Sequence, residues 1–107
     1  MKFADLEFEA MDKAYGRSYK VEGGWLADPC QVIVILPNGL EVSVVRHGAS
    51  RGHEKGLYEM GVFHTGGYQM MTVDAWRDEV KGWLTPENVE KELEYLENYY
   101  KSDKKTA

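Results

Sequence analysis

The chain has 107 residues, a formal net charge of −5, 43% hydrophobic residues and 29% charged residues. That is enough for one domain and too little for two, with the balance of an ordinary globular protein. No apolar run approaches the ~20 residues that cross a bilayer, and one cysteine, Cys30, leaves no internal disulfide to form.

Residues 1–10 mix acids with apolar side chains, which is not the pattern of a secretory leader. The setting expected from this is the cytoplasm. Residues 3–14 predict a helix, because Phe3, Leu6, Ala10 and Ala14 recur at spacings of three and four and Gly16 offers a stop. Leu6 and Phe8 also alternate with acids, so a strand over residues 3–8 is the competing reading. Residues 18–29, with Gly23-Gly24 and Pro29, predict a loop or short irregular strand, with Trp25 and Leu26 at the edge of the core.

The strongest local signal is a hairpin. Residues 31–36 are β-branched and apolar on both faces. Pro37-Asn38-Gly39 breaks the run, with Asn-Gly supplying positive φ. Residues 40–45 return with Leu40, Val42 and Val44 on one face and Glu41 and Ser43 on the other. A long connection over residues 46–55 leads to a third strand near residues 57–64 and, after Thr65-Gly66-Gly67, a fourth at residues 68–73. Residues 74–84 predict a turn and a short helical segment with Val80, Trp83 and Leu84 inward.

The last element is a helix with clear punctuation. Thr85 suits the N-cap, Pro86 the first helical position and Glu87 the positive end of the dipole. Val89, Leu93, Leu96 and Tyr100 form its apolar stripe, and residues 101–107 a flexible polar tail beyond a single domain of residues 1–100. The expected class is α+β: an antiparallel four-stranded β-meander flanked by an N-terminal helix and a C-terminal helix.

Chemistry-bearing motifs are sparse. His47, His53 and His64 are separated by six and eleven residues, which matches no helical zinc pair or finger spacing, so no metal and no cofactor are expected. Residues 48–56 have glycines and bases but lack the Gly-Lys-Ser/Thr ending of a phosphate loop, and no helix follows them. A nucleophilic Cys30 would need a base that no motif supplies, and its place at the start of an apolar strand suggests a buried thiol. The expectation is therefore a protein that is not an enzyme.

Two surfaces remain as candidate partner-binding sites. The first is the cationic connection carrying Arg46, His47, Arg51, His53 and Lys55. The second is the C-terminal helix, where Glu87, Glu90, Glu94 and Glu97 share a side and Tyr95 and Tyr99 lie nearby. Residues 74–100 hold eight acids against three bases. Such a stripe can dock a basic protein surface or mimic DNA phosphates. The overall charge argues against nucleic acid as a ligand; a nucleic-acid-associated module using the basic 46–55 connection is the alternative reading, because only that connection has the basic footprint that counterion release requires. An edge strand, or an uncovered face of Tyr58, Met60 and Val62, would favour a homodimer.

Asn38-Gly39, Ser43 to Arg46, Gly56 to Glu59 and Gly82 to Thr85, in that order, resemble a group of small proteins encoded by tailed bacteriophages, with no assigned activity. The resemblance covers residues 36–95 and leaves the first 30 residues outside. It departs from the group at Ser50-Arg51-Gly52, where the usual pattern is Tyr-Gly-Gly. The resemblance implies a small acidic accessory protein that binds a host or phage protein in the host cytoplasm, as inhibitors of host defence enzymes do.

Overall fold

A computed structural model describes residues 1–11 and 18–99. In chain order the strands are β1 (Glu9–Ala10), β2 (Tyr19–Lys20), β3 (Leu26–Ala27), β4 (Cys30–Ile35), β5 (Leu40–Arg46), β6 (Tyr58–His64) and β7 (Val80–Leu84), followed by helix α1 (Pro86–Glu97). The fold is α+β. Its main sheet is antiparallel, five-stranded and ordered β1-β4-β5-β6-β7, and β2 and β3 form a separate two-stranded ribbon.

The predicted hairpin forms, with one change at its tip. Gly39 N–H bonds the Leu36 carbonyl at 3.1 Å and Leu36 N–H bonds the Leu40 carbonyl at 2.8 Å. Only Gly39 takes positive φ, at 88°. The loop is therefore a three-residue turn ending in a left-handed glycine rather than a two-residue Asn-Gly turn. Asn38 is used differently: its Nδ2 donates to the Leu96 carbonyl at 2.7 Å and satisfies a carbonyl at the end of α1.

Several expectations are corrected. The helix over residues 3–14 is absent over its described part, where a single 3-10 turn (Phe3–Asp5) and the short strand β1 take its place; residues 12–14 and Gly16 lie outside the described residues. Phe3 and Phe8, five apart, both turn to Tyr58, with ring centroids at 5.1 and 5.3 Å. A tertiary aromatic cluster thus overrides the helical spacing. The fourth strand at residues 68–73 reduces to two isolated bridges, Phe63 to Met70 and Val73 to Asp78. The strand beside β6 is instead β7, inside the segment read as helical. Trp83 has φ of 60° and is half exposed, so the bend at Gly82-Trp83 breaks the alternation that would have marked a strand. Of the three side chains expected inward there, Leu84 is fully buried and Val80 only partly. Trp25 and Leu26 are 76% and 68% exposed, because the Gly23-Gly24 turn holds them on the outside of the ribbon.

One face of the sheet carries the core. Leu40, Val42 and Val44 of β5, Met60 and Val62 of β6, and Val89, Leu93 and Leu96 of α1 are all 0% exposed and belong to one cluster. The face of Tyr58, Met60 and Val62 is therefore covered from within the chain, and the motive for a homodimer there falls away. Thr85 caps α1 by accepting from Asn88 N–H at 3.1 Å, and Asn88 Oδ1 accepts from Thr85 N–H at 3.3 Å. Glu92 of α1 then ties the helix down, accepting from Lys81 Nζ at 2.8 Å and from Trp76 Nε1 at 2.7 Å. Tyr100 and the 101–107 tail lie outside the described residues.

Replacing Leu93 with Ala removes a fully buried side chain from the helix–sheet contact and costs about 3 kcal/mol of unfolding free energy. Ile35→Ala, on the other face and 55% exposed, costs less than half as much. Urea unfolding followed by circular dichroism measures both, and equal losses would mean that the core lies elsewhere.

Candidate functional site

The 46–55 connection is a built structure, not a free tip. Ser50 organises its first half: its Oγ accepts from His47 N–H at 3.0 Å and donates to the His47 carbonyl at 2.9 Å. A 3-10 turn (His53–Lys55) follows, bounded by Gly52 and Gly56, both left-handed. Gly52 has to be glycine twice over. Its φ is 91°, and a Cβ there would stand 2.9 Å from the Trp83 Cα. Gly82 is similarly constrained, since a Cβ on it would overlap Arg51. Trp83 N–H donates to the Arg51 carbonyl at 3.2 Å, so the connection is laced to β7. On its other side the β2–β3 ribbon packs against it. Tyr19 meets the His53 ring edge-on at 5.4 Å, and Glu22 N–H donates to the Glu54 carbonyl.

Its cations are largely engaged within the chain. Arg46 lies over the Tyr58 ring at 5.1 Å and donates to its hydroxyl at 3.1 Å. Arg51 donates to Asp78 at 3.1 Å and lies 3.7 Å from Glu59. The Arg51 guanidinium beside Asp78, helped by the Glu79 N–H, holds that carboxyl below the usual aspartate range. His53 Nδ1 donates to the Ser50 carbonyl at 2.6 Å and lies 3.3 Å from Glu54. His47 is buried, and its Nδ1 accepts from Ala49 N–H at 3.1 Å. Lys55 is exposed and is not in an ion pair with a described residue.

The C-terminal helix presents the other candidate residues. Glu87, Glu90, Glu94 and Glu97 line an open groove of about 710 Å³ with Met1, Lys2 and Lys91. Glu90 accepts from Phe3 N–H at 2.6 Å and so holds the N-terminal segment against the helix. Tyr95 is part exposed and stacks edge-on with Tyr99 at 5.6 Å, and the Tyr99 hydroxyl accepts from Asp74 N–H at 3.3 Å. Sequence reasoning placed Glu87, Glu90, Glu94, Tyr95 and Glu97 on one helix, as found, whereas Tyr99 lies in the turn that follows it. It missed a second groove, of about 830 Å³, between residues 1–11 and β4, lined by Asp5, Glu7 and Glu9 together with Gln31 through Ile35. The apolar run at 32–35 beside acids at 5, 7 and 9 was visible, but the pairing of β1 with β4 that juxtaposes them was not.

Cys30 opens β4 and is half-buried. Burial pushes its thiol pKa up, partly offset by Arg46 and reinforced by Asp28. That is the reverse of an activated nucleophile. His47 and His53 share the connection, while His64 is exposed at the far end of β6. Among the described residues no three His, Cys, Asp or Glu side chains converge as metal ligands, and no helix is long and apolar enough to cross a membrane. Compared with known proteins, the chain matches no family model, no curated protein and no solved structure.

Two outcomes follow. Burial lowers the pKa of His47, against the raising influence of Glu59. The unfolded chain therefore binds this proton more readily than the folded one, and stability is full above the ordinary histidine pKa of about 6.5 and falls as pH drops below it. His47→Asn keeps an acceptor for Ala49 N–H and does not titrate, so the melting temperature of this variant declines less between pH 7 and pH 5. Cys30, for its part, reacts with a thiol reagent at pH 8 several-fold more slowly in the native protein than in urea. Equal rates would show an accessible thiolate.

Proposed function

We propose that this protein is a small, non-enzymatic binding module of the tailed-phage accessory kind, which engages a host protein in the host cytoplasm and acts there as an inhibitor, a defence enzyme being the class of target in view. One observation carries the reading: the two candidate surfaces differ in what their charges already do. In the 46–55 connection Arg46 and Arg51 are engaged by Tyr58, Glu59 and Asp78, and the His53 ring by Ser50 and Glu54, which leaves Lys55 as the exception. The side chains of Glu87, Glu94 and Glu97 line a groove and form no ion pair among the described residues. With Asp5, Glu7 and Glu9 in the neighbouring groove, and Met1 shared by both linings, they make one acidic face about the N-terminal segment.

Although Lys2 and Lys91 share the groove, carboxylates outnumber bases on this face, and with tyrosines beside it the face favours a basic protein partner, speeding encounter and selecting among partners. The nucleic-acid reading of the basic connection loses support, because phosphates would have to compete with Glu59 and Asp78 for Arg51 and with Tyr58 for Arg46.

Capture from a lysate of the bacterial host tests the proposal. The wild-type chain should retain a partner in stoichiometric amount at low salt, and both high salt and the double variant Glu87→Lys, Glu94→Lys should release it. Recovery of no stoichiometric partner, together with turnover of a small substrate, would replace the binding module with an enzyme.

A further inference from the structure

The outer edge of the main sheet is left unfinished by its own chain. The hydrogen-bond phase of β4 can be read from its two flanks. Leu36 N–H bonds the Leu40 carbonyl on the β5 side, and Met11 N–H bonds the Pro29 carbonyl on the β1 side. Even-numbered residues of β4 therefore bond to β5, and odd-numbered residues point their N–H and C=O groups to the outer edge. β1 pairs only with Cys30 and Gln31. The backbone groups of Ile33 and Ile35 thus face outward with no partner among the described residues.

Before β1 the chain does not continue along this edge. It is drawn away by Phe3 and Phe8, which pack on Tyr58, and by Glu90, which holds Phe3 N–H. The groove of about 830 Å³ is the space this departure opens beside Gln31 through Ile35. The opposite edge of the sheet is treated differently, because the bend at Trp83 and the Trp83 N–H to Arg51 carbonyl bond close it. Exposed strand edges normally carry lysine, proline or a bulge that discourages pairing. Val32-Ile33-Val34-Ile35 carries none of these, and Ile33 and Ile35 are 46% and 55% exposed.

Deepening the binding reading above, and resting on it, we propose that the edge of β4 from Val32 to Ile35 is a strand-addition site for an extended, basic segment of a partner polypeptide. Backbone pairing supplies the affinity and alternate side chains the selectivity. Residues of the incoming strand opposite Ile33 and Ile35 are apolar and cover them. The segment also carries lysine or arginine, because the groove is lined by Asp5, Glu7 and Glu9 and by no Lys, Arg or His side chain. A second copy of this chain is the poorer occupant. It would bring the same three acids to the same groove on a body that itself carries a net charge of −5.

The test uses the full chain, isotope-labelled, titrated at low salt with a short synthetic peptide that alternates lysine with valine. The amides of Ile33 and Ile35 should shift and gain at least about tenfold protection from hydrogen exchange, and added salt should weaken binding several-fold. Ile35→Pro removes one outward N–H at an edge position that tolerates proline; it should abolish the protection while the circular dichroism spectrum stays native. Glu7→Lys with Glu9→Lys, both exposed, should weaken binding without touching the edge backbone.

Peptide shifts confined to α1 with Ile33 and Ile35 unchanged would overturn strand addition and leave the acidic-face reading standing. Equal binding of a peptide alternating glutamate with valine would overturn the charge assignment. Concentration-dependent protection of the same amides without peptide, with a dimer mass by sedimentation, would give the edge to a second copy. Absence of any peptide binding would remove the site, while the charge-reversal capture decides the broader reading separately.

Discussion

Val89, Leu93 and Leu96 of α1 share a fully buried core with Leu40, Val42, Val44, Met60 and Val62 of the sheet. A strand shows alternate residues to opposite faces, so this one contact decides which half of each strand is inside. It places Leu40, Val42 and Val44 in and Glu41 and Ser43 out, as their alternation requires. The same choice leaves Ile33 and Ile35 on the face away from α1, although β4 is apolar on both sides. Among the described residues there is one α-helix, and it covers one face of the sheet. The exposed isoleucines are a consequence of that arithmetic.

Electrostatics follows the same geometry. Thr85, Asn88 and Glu92 spend their polar groups on fixing α1 at its start and along its inner flank. Glu87 and Glu94 are exposed and Glu97 half-buried along the groove with Met1 and Lys2, and none of the three forms an ion pair among the described residues. In the 46–55 connection, two glycines allow backbone to approach backbone, and the charges are turned back on neighbouring strands. Charge density in the sequence was therefore a poor guide to availability. The most basic stretch is the most internally committed one.

Local signals were enough for the β4–β5 hairpin, for β6 and for the cap of α1, because turn chemistry, alternation and Thr85-Pro86 each act within a few residues. They failed where distant groups decide. Phe3 and Phe8 read as part of a helix until Tyr58, about fifty residues later in sequence, joins both rings in one cluster. β7 was hidden by Gly82 and Trp83, whose bend exists to receive Arg51. For the candidate residues, helical spacing located Glu90, Glu94 and Glu97 together, whereas the engagement of Arg51 by Asp78 spans 27 positions and leaves no local trace.

Asn38 adds a hydrogen bond to the packing that already joins the β4–β5 hairpin to α1. Its side-chain amide sits in the hairpin turn and donates to the Leu96 carbonyl at the end of α1. Asparagine followed by glycine is the pair most open to slow loss of ammonia, since an unbranched neighbour lets its backbone nitrogen attack the side chain. That chemistry would put a carboxylate where the donor now stands, pointing at a carbonyl oxygen with the same partial charge. The hydrogen bonds of Asn38 to Leu96 and Leu40, and of Gly39 N–H to Leu36, hold these groups away from that attack, so the joint that ties hairpin to helix also shields its own weakest bond.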